Sequence, residues 1–340
     1  MQRQRWQQQP VAELKGCQPL RCLPKKWFPP FGLDKLKKVI EAESSRTYPL
    51  LMLKEHEKYE DTYAQWGGPT YVVLTRDPRN LRVILSRKFK DFEIGSGRNG
   101  CVGPLLGDGI FTQDGPKWEH SRKLLAPLIQ RSTLPDLGLV EKDFQRLLAK
   151  ITPKDTAPDN RARHWCVNLK EALFELSLEI MTEFLLGDPH RIKNKETNAA
   201  DWAGSFAKEF NTAFRWISKR ERLKGFYWMI DGREFRDSCR AAQRMIKTIV
   251  NQCSQAFEID GLSLNDEYVA LAALLQEETD TGMVRDQFVN LLLAGRDTTG
   301  SLLSWVFYAL SREPELFKEM KAEMTETLSS NKYGIQPKAT

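Results

Sequence analysis

The seven residues AGRDTTG, 294–300, bring together types that disfavour the interior of a helix. Gly295 costs about 1 kcal/mol against Ala there. Asp297 is a poor interior residue, and Thr298 can bond back to the carbonyl of Ala294 and bend the helix. Small residues at Ala294 and Gly295 would let something flat and rigid lie close to the backbone. An acid and a hydroxyl beside it, Asp297 and Thr298, can hold water and relay protons. A plainer reading stands equally: Gly295 for close packing with another helix, Asp297 in a buried ion pair, Thr298 as filler.

A second constellation is Trp118 and Arg122, one helical turn apart and so on one face. A planar guanidinium grips carboxylates in bidentate fashion, and an indole N–H donates a further bond. By itself such a pair reads more readily as a core aromatic beside a surface cation; its setting, directly after a Gly-rich run and LLGDGIFTQDG, adds weight. Other signatures fail. His56, His120, His164 and His190 lack metal-ligand spacing, and Cys17 with Cys22 has no partner pair. No G-x-S-x-G or Walker loop occurs. Gly95, Gly97 and Gly100 form a G-x-G-x-x-G, but the FKDFEI before it looks like a helix end where a dinucleotide site needs a strand, so the match is chance.

The elements that must position these residues are mostly helices. MVRDQFVNLLLAGRDTTGSLLSWVFYALS, 283–311, repeats its apolar residues at helical spacing and is apolar on most faces, which predicts a long helix threaded through the core and ended by Glu313-Pro314. Helical patterns also cover about 33–63, the residues after Lys117, PDLGLVEKDFQRLLAKI, LKEALFELSLEIMTEFLLG, two runs within 199–257, and 315–328. PTYVVLT reads as a strand, Asp77-Pro78 as a helix start, and the Gly-rich 94–110 as a loop. The fold class is mainly α with a small β element. No linker divides the helical mass, so 33–340 is expected to be one domain preceded by an arm, 1–32.

The 340 residues carry 41% apolar and 28% charged residues, enough for a sizeable core and far from a disordered composition. No stretch reaches the roughly 18 apolar residues of a membrane span, and no secretory leader is visible, so the six scattered cysteines read as reduced thiols of an intracellular protein. The net charge of +6 is concentrated in residues 1–40, which carry +7. Such an arm is a solvated tail or a contact for an anionic membrane surface. Nucleic acid fits poorly, because the body lacks a basic patch with interleaved aromatics.

Taken together these segments resemble the cytochrome P450 family of haem-thiolate monooxygenases. AGRDTT is similar to the family's oxygen-activating helix, and LLGDGIFTQDGPKWEHSRKLLAP to the segment entering its W-x-x-x-R helix. DPRNLRVILSRKFKDF and SREPELFKEMKAEM fall in family order, and the nearest likeness is to fungal microsomal members that hydroxylate alkanes and fatty acids. The resemblance implies the cytochrome P450 fold, a haem b (heme) cofactor, a lipophilic substrate, an NADPH-cytochrome P450 reductase as partner and residence at the endoplasmic reticulum membrane. It implies roles residue by residue. Ala294 and Gly295 would lie over the distal haem face, and Asp297 and Thr298 would deliver protons during oxygen activation. Trp118 and Arg122, with His120, would bind the propionates, and Ile110 and Phe111 would line the substrate pocket. Ala126 and Ile129 depart from the pattern, standing where fungal relatives carry an Arg and an aromatic residue.

A larger departure concerns the metal. No Glu-x-x-Arg follows the long helix, where the family places that motif, and the loop Phe-x-x-Gly-x-Arg-x-Cys-x-Gly occurs nowhere in the chain, so the fold is expected to lack its C-terminal part, the axial cysteine and the hydrophobic N-terminal anchor. Cys101 is a poor substitute, since Ile94 and Asn99 stand where that loop requires Phe and Arg. Two readings follow: a monooxygenase by family, or a non-catalytic fragment unable to ligate haem iron.

Overall fold

The computed structural model describes residues 20–23, 33–67, 70–129, 137–152, 166–186, 199–260 and 269–329. Helices dominate, and the β structure among those residues is one three-stranded sheet, the mainly α class that the sequence predicts. In chain order the elements are β1 (Arg21–Cys22), α1 (Leu33–Ser44), α2 (Tyr48–Tyr59), β2 (Thr62–Gly67), β3 (Thr70–Thr75), α3 (Pro78–Arg82), α4 (Gly95–Leu106), α5 (Gly115–Leu125), α6 (Leu137–Ile151), α7 (Leu169–Leu186), α8 (Ala199–Leu223), α9 (Arg233–Asp260), α10 (Val269–Glu277), α11 (Thr281–Arg312) and α12 (Pro314–Ser329). The chain divides into two compact units, Met1–Ser121 with Glu209–Ala242, and Arg122–Lys208 with Gln243–Thr340.

The first unit holds the sheet. β2 pairs antiparallel with β3, Thr62 opposite Thr75, and parallel with β1, Arg21 opposite Tyr63. Residues 20–23 of the arm therefore belong to the sheet; the rest of the arm lies outside the described residues. The single helix expected over 33–63 is two helices and a strand. Pro49, in the first turn of α2, lacks the N–H that a continuing helix would need. β2 follows at Thr62, with Tyr63 and Ala64 both fully buried. Asp77 opens α3 as expected, its carboxylate accepting from the Arg79 amide at 2.8 Å.

The run 94–110, expected to be a loop, contains the helix α4. Its start is secured from outside: the Asp114 carboxylate accepts from the amides of Ile94 and Gly95 at 2.8 and 2.9 Å. Burial of Cys101, Val102, Leu105 and Leu106 does the rest, overriding the poor helix propensity of four glycines and a proline.

The second unit is built on α7 and α11. Leu147 of α6 and Ala172, Leu173 and Leu176 of α7 form a buried cluster against which Leu303 of α11 packs. Asp280 caps α11, accepting from the Gly282 amide at 2.8 Å, and the helix stops at Arg312, before Pro314, as the sequence predicts. The expectation that α11 is buried throughout holds for half of it. Val284, Phe288, Val289 and Leu292 are fully buried, whereas Leu302 and Trp305 are 65% and 66% exposed, because no described element covers the helix beyond Gly300 on that face.

Candidate functional site

In the first unit a cavity of about 690 Å³ opens beside α4 and α5. Its apolar wall is Phe89, Phe92, Ile110, Phe111 and Trp118, and Arg98 stands at its edge. The structure thus brings three expected residues, Ile110, Phe111 and Trp118, around one space. The ring of Trp118 lies against Phe89, centroids 5.0 Å apart. Arg98 is tied to the wall by its Nε, which donates to the Phe111 carbonyl at 3.3 Å, and pairs with Glu221 at 3.0 Å. Phe89, Phe92 and Arg98 carried no signal in the sequence, since a helix end and a Gly-rich run gave no reason to join them. His120 and Arg122 follow Trp118 on α5, and both are exposed.

The centre of α11 belongs to the second unit. The expected back-bond is present: Thr298 Oγ1 donates to the Ala294 carbonyl at 2.7 Å. Thr298 is exposed and Ala294 half-buried, one turn apart, so together they form an open strip of small side chains. Asp297 pairs with its neighbour Arg296 at 2.8 Å, and the Arg296 guanidinium lies 5.2 Å from the ring of Phe174. Burial raises the Asp297 carboxyl above the usual range, and Arg296 offsets part of that rise. Gly295 turns to another helix: a Cβ there would stand 2.3 Å from the Met181 sulfur of α7. Ser177, also on α7, donates to the Arg296 carbonyl at 3.0 Å. The helix-breaking residues therefore divide. Gly295 admits α7, while Ala294, Asp297 and Thr298 face away from that contact. Ser177 and Met181 went unnoticed in the sequence because a Ser and a Met inside an apolar helix look like filler.

Whether these residues suit a haem depends on two donor sets. The edge and distal residues fit: exposed Arg122 and His120 can meet carboxylates, and the strip Ala294–Thr298 leaves a planar group room. Among the described residues no cysteine fits as the iron donor. A haem-ligating cysteine is a thiolate, which needs a lowered pKa. Burial instead pushes the Cys101 thiol up to about 11 and that of Cys239 up to about 12. Cys22 and Cys166 are exposed, and no cluster of His, Cys, Asp or Glu suited to a metal occurs among the described residues.

The mainly helical architecture with its small sheet is the cytochrome P450 fold, and comparison with known proteins agrees. A six-coordinated cytochrome P450 from Thermus thermophilus superposes with a TM-score of 0.52 over 80% of this chain and 60% of its own; at 18% identity the likeness concerns fold alone. The cytochrome P450 family model matches residues 35–339, and the chain belongs to that family. It is 35% identical over 263 residues to cytochrome P450 52A13 of Debaryomyces hansenii, covering 75% of this chain and 49% of that one. To cytochrome P450 52A1 of Candida tropicalis it is 34% identical over 272 residues, 78% of this chain and 47% of the other. A cytochrome P450 of Arthroderma benhamiae is 31% identical over 320 residues, 93% and 58% of the two chains. The chain thus spans about half the length of the curated relatives it matches. No helix among the described residues is long and apolar enough to cross a membrane.

Proposed function

We propose that this chain supplies the distal and substrate-side parts of a haem-dependent monooxygenase acting on a lipophilic substrate, a fatty acid or an alkane. The observation that carries the reading is the open strip Ala294–Thr298 on α11 beside the half-buried Asp297, whose carboxyl burial raises above the usual range. Haem, when bound, supplies the iron that activates dioxygen, with electrons drawn from NADPH through a reductase. The protein's own residues bind, orient and move protons. Arg122 and Trp118, with His120, hold the propionates. Ala294 lets the flat group approach the helix. Thr298, its hydroxyl fixed by the Ala294 carbonyl, orders water, and Asp297 beside it passes protons. Ile110 and Phe111 face the apolar substrate. The basic arm suits the surface of the endoplasmic reticulum membrane.

A second reading, a non-catalytic form that does not ligate haem iron, is favoured by the buried, high-pKa thiols of Cys101 and Cys239. One experiment separates the two. The 340-residue chain is reconstituted with haem, its haem content measured, and a reduced carbon-monoxide difference spectrum recorded. A thiolate-type Soret band supports the monooxygenase; haem uptake without it, or no uptake, supports the second reading. Arg122→Ala is expected to weaken haem retention, and unchanged stoichiometry would count against propionate binding.

A further inference from the structure

Pro104 lies inside α4, and a proline has no N–H to give the carbonyl four residues back. That carbonyl belongs to Gly100, within a helix whose packed face is buried, where an unsatisfied acceptor costs on the order of 1–3 kcal/mol. The missing donor comes from the far end of α8. Arg220 Nη2 donates to the Gly100 carbonyl at 2.8 Å, and its Nε to the Cys101 carbonyl at 3.1 Å. Its remaining nitrogen, Nη1, donates to the Ile230 carbonyl at 2.5 Å and lies 3.6 Å from the Asp231 carboxylate. The guanidinium is sandwiched near the rings of Tyr227 and Phe235, at 5.2 and 4.6 Å, and the side chain is only 4% exposed. Gly100 has no Cβ because Tyr227 occupies that space: an added Cβ would stand 2.1 Å from the phenol oxygen. A rigid, five-donor fork can hold three carbonyls at once, which an ammonium cannot. The next residue, Glu221, holds the same helix a second time through Arg98.

We propose that Arg220 is the positioning residue of the cavity wall: its guanidinium replaces the N–H that Pro104 lacks and so fixes α4, with Ile94 and Arg98, at the edge of the cavity lined by Phe89, Phe111 and Trp118. What enters that cavity rests on the monooxygenase reading; the clasp does not, and its test needs no haem. Because it substitutes for one specific missing donor, restoring that donor must make it dispensable. Ala at position 104 returns an N–H to the Gly100 carbonyl; filling of the core by Arg220 would gain nothing from that change.

The experiment is hydrogen–deuterium exchange of the full chain as wild type, Pro104→Ala, Arg220→Met and the double variant. In Arg220→Met the amides of 101–107 and of the cavity segments 89–94 and 110–118 exchange about tenfold or more faster, as expected for local opening. In the double variant protection of 101–107 returns to within about threefold of wild type. Unchanged exchange in Arg220→Met, or exchange in the double variant as fast as in Arg220→Met, overturns the proposal. If Arg220→Met does not fold, the double variant decides: its folding supports the clasp and its failure to fold overturns it.

Discussion

The hydroxyl of Ser177 donates to the main-chain carbonyl of Arg296, 3.0 Å away and 119 residues further along the chain. This bond joins α7 to α11 one residue before Asp297 and two before Thr298, in a buried setting where the hydroxyl's other acceptor is the Phe174 carbonyl at 3.1 Å. Ser177→Ala is expected to cost about 1 kcal/mol, read as a lower urea midpoint at unchanged slope. A midpoint equal to wild type would show that the bond is not formed in solution.

The same pair of helices meets at Gly295 and Met181, where an added Cβ would collide with the sulfur at 2.3 Å. Gly295→Ala gains about 1 kcal/mol of helix propensity but overpacks the contact by about 1–3 kcal/mol. The net sign is less telling than the coupling. In a Met181→Ala background, with the thioether gone, Gly295→Ala should become stabilising, with an interaction energy of about 1 kcal/mol or more across the cycle. Additive effects would mean that the two helices do not approach as closely as described.

Asp143 on α6 is fully buried, its Oδ2 without a hydrogen-bond partner, beside Glu183 of α7 and bonded through Oδ1 to Arg146 at 2.7 Å. Burial and the Glu183 carboxylate push its pKa from 3.8 up to about 7, against the pull of Arg146 and with a further push from Glu179. Between those two values the folded chain holds a proton that the unfolded chain has released, so this group's contribution to stability falls as the pH rises through the window. Asp143→Asn keeps the shape and removes the titration. Its stability advantage over wild type should grow from near zero at about pH 4 to on the order of 1–3 kcal/mol above about pH 7. A constant difference across the window would refute the raised carboxyl.

Thr298→Ala removes a hydroxyl from an exposed position whose one recorded bond stays within its own helix. Stability should change by no more than about 0.5 kcal/mol. On the proposed monooxygenase reading, the same change separates electron consumption from product formation in the haem-loaded protein, measured as NADPH oxidised per product formed. Unchanged coupling, with stability also unchanged, would leave Thr298 as surface filler.

The fold was legible wherever its signals were local. Asp77-Pro78 and Glu313-Pro314 punctuate helices by chemistry within a few residues, and the Thr298 bond to Ala294 follows from helix geometry alone. β2 was hidden because Tyr63 and Ala64, neighbours in sequence, are both buried, so the alternation that marks a half-buried strand is missing from a strand paired on both edges. α4 was hidden because its N-terminal cap comes from Asp114 and the donor to its Gly100 carbonyl from Arg220, both outside any local window. At the candidate site the chemistry-bearing types stood out, yet the partner of Gly295 did not, since nothing near Gly295 in the chain points to Met181.

The proline in α4 also orders events in time. A helix that cannot complete its bonds from within must wait for Arg220, 120 residues later than Gly100. At roughly 5–20 residues per second, synthesis takes on the order of ten seconds to cover that interval. Throughout it Val102, Leu105 and Leu106 have no guanidinium clasp to hold their helix against the rest of its unit. Closing so distant a contact carries a loop entropy that local helices escape, which makes α4 a late arrival in folding.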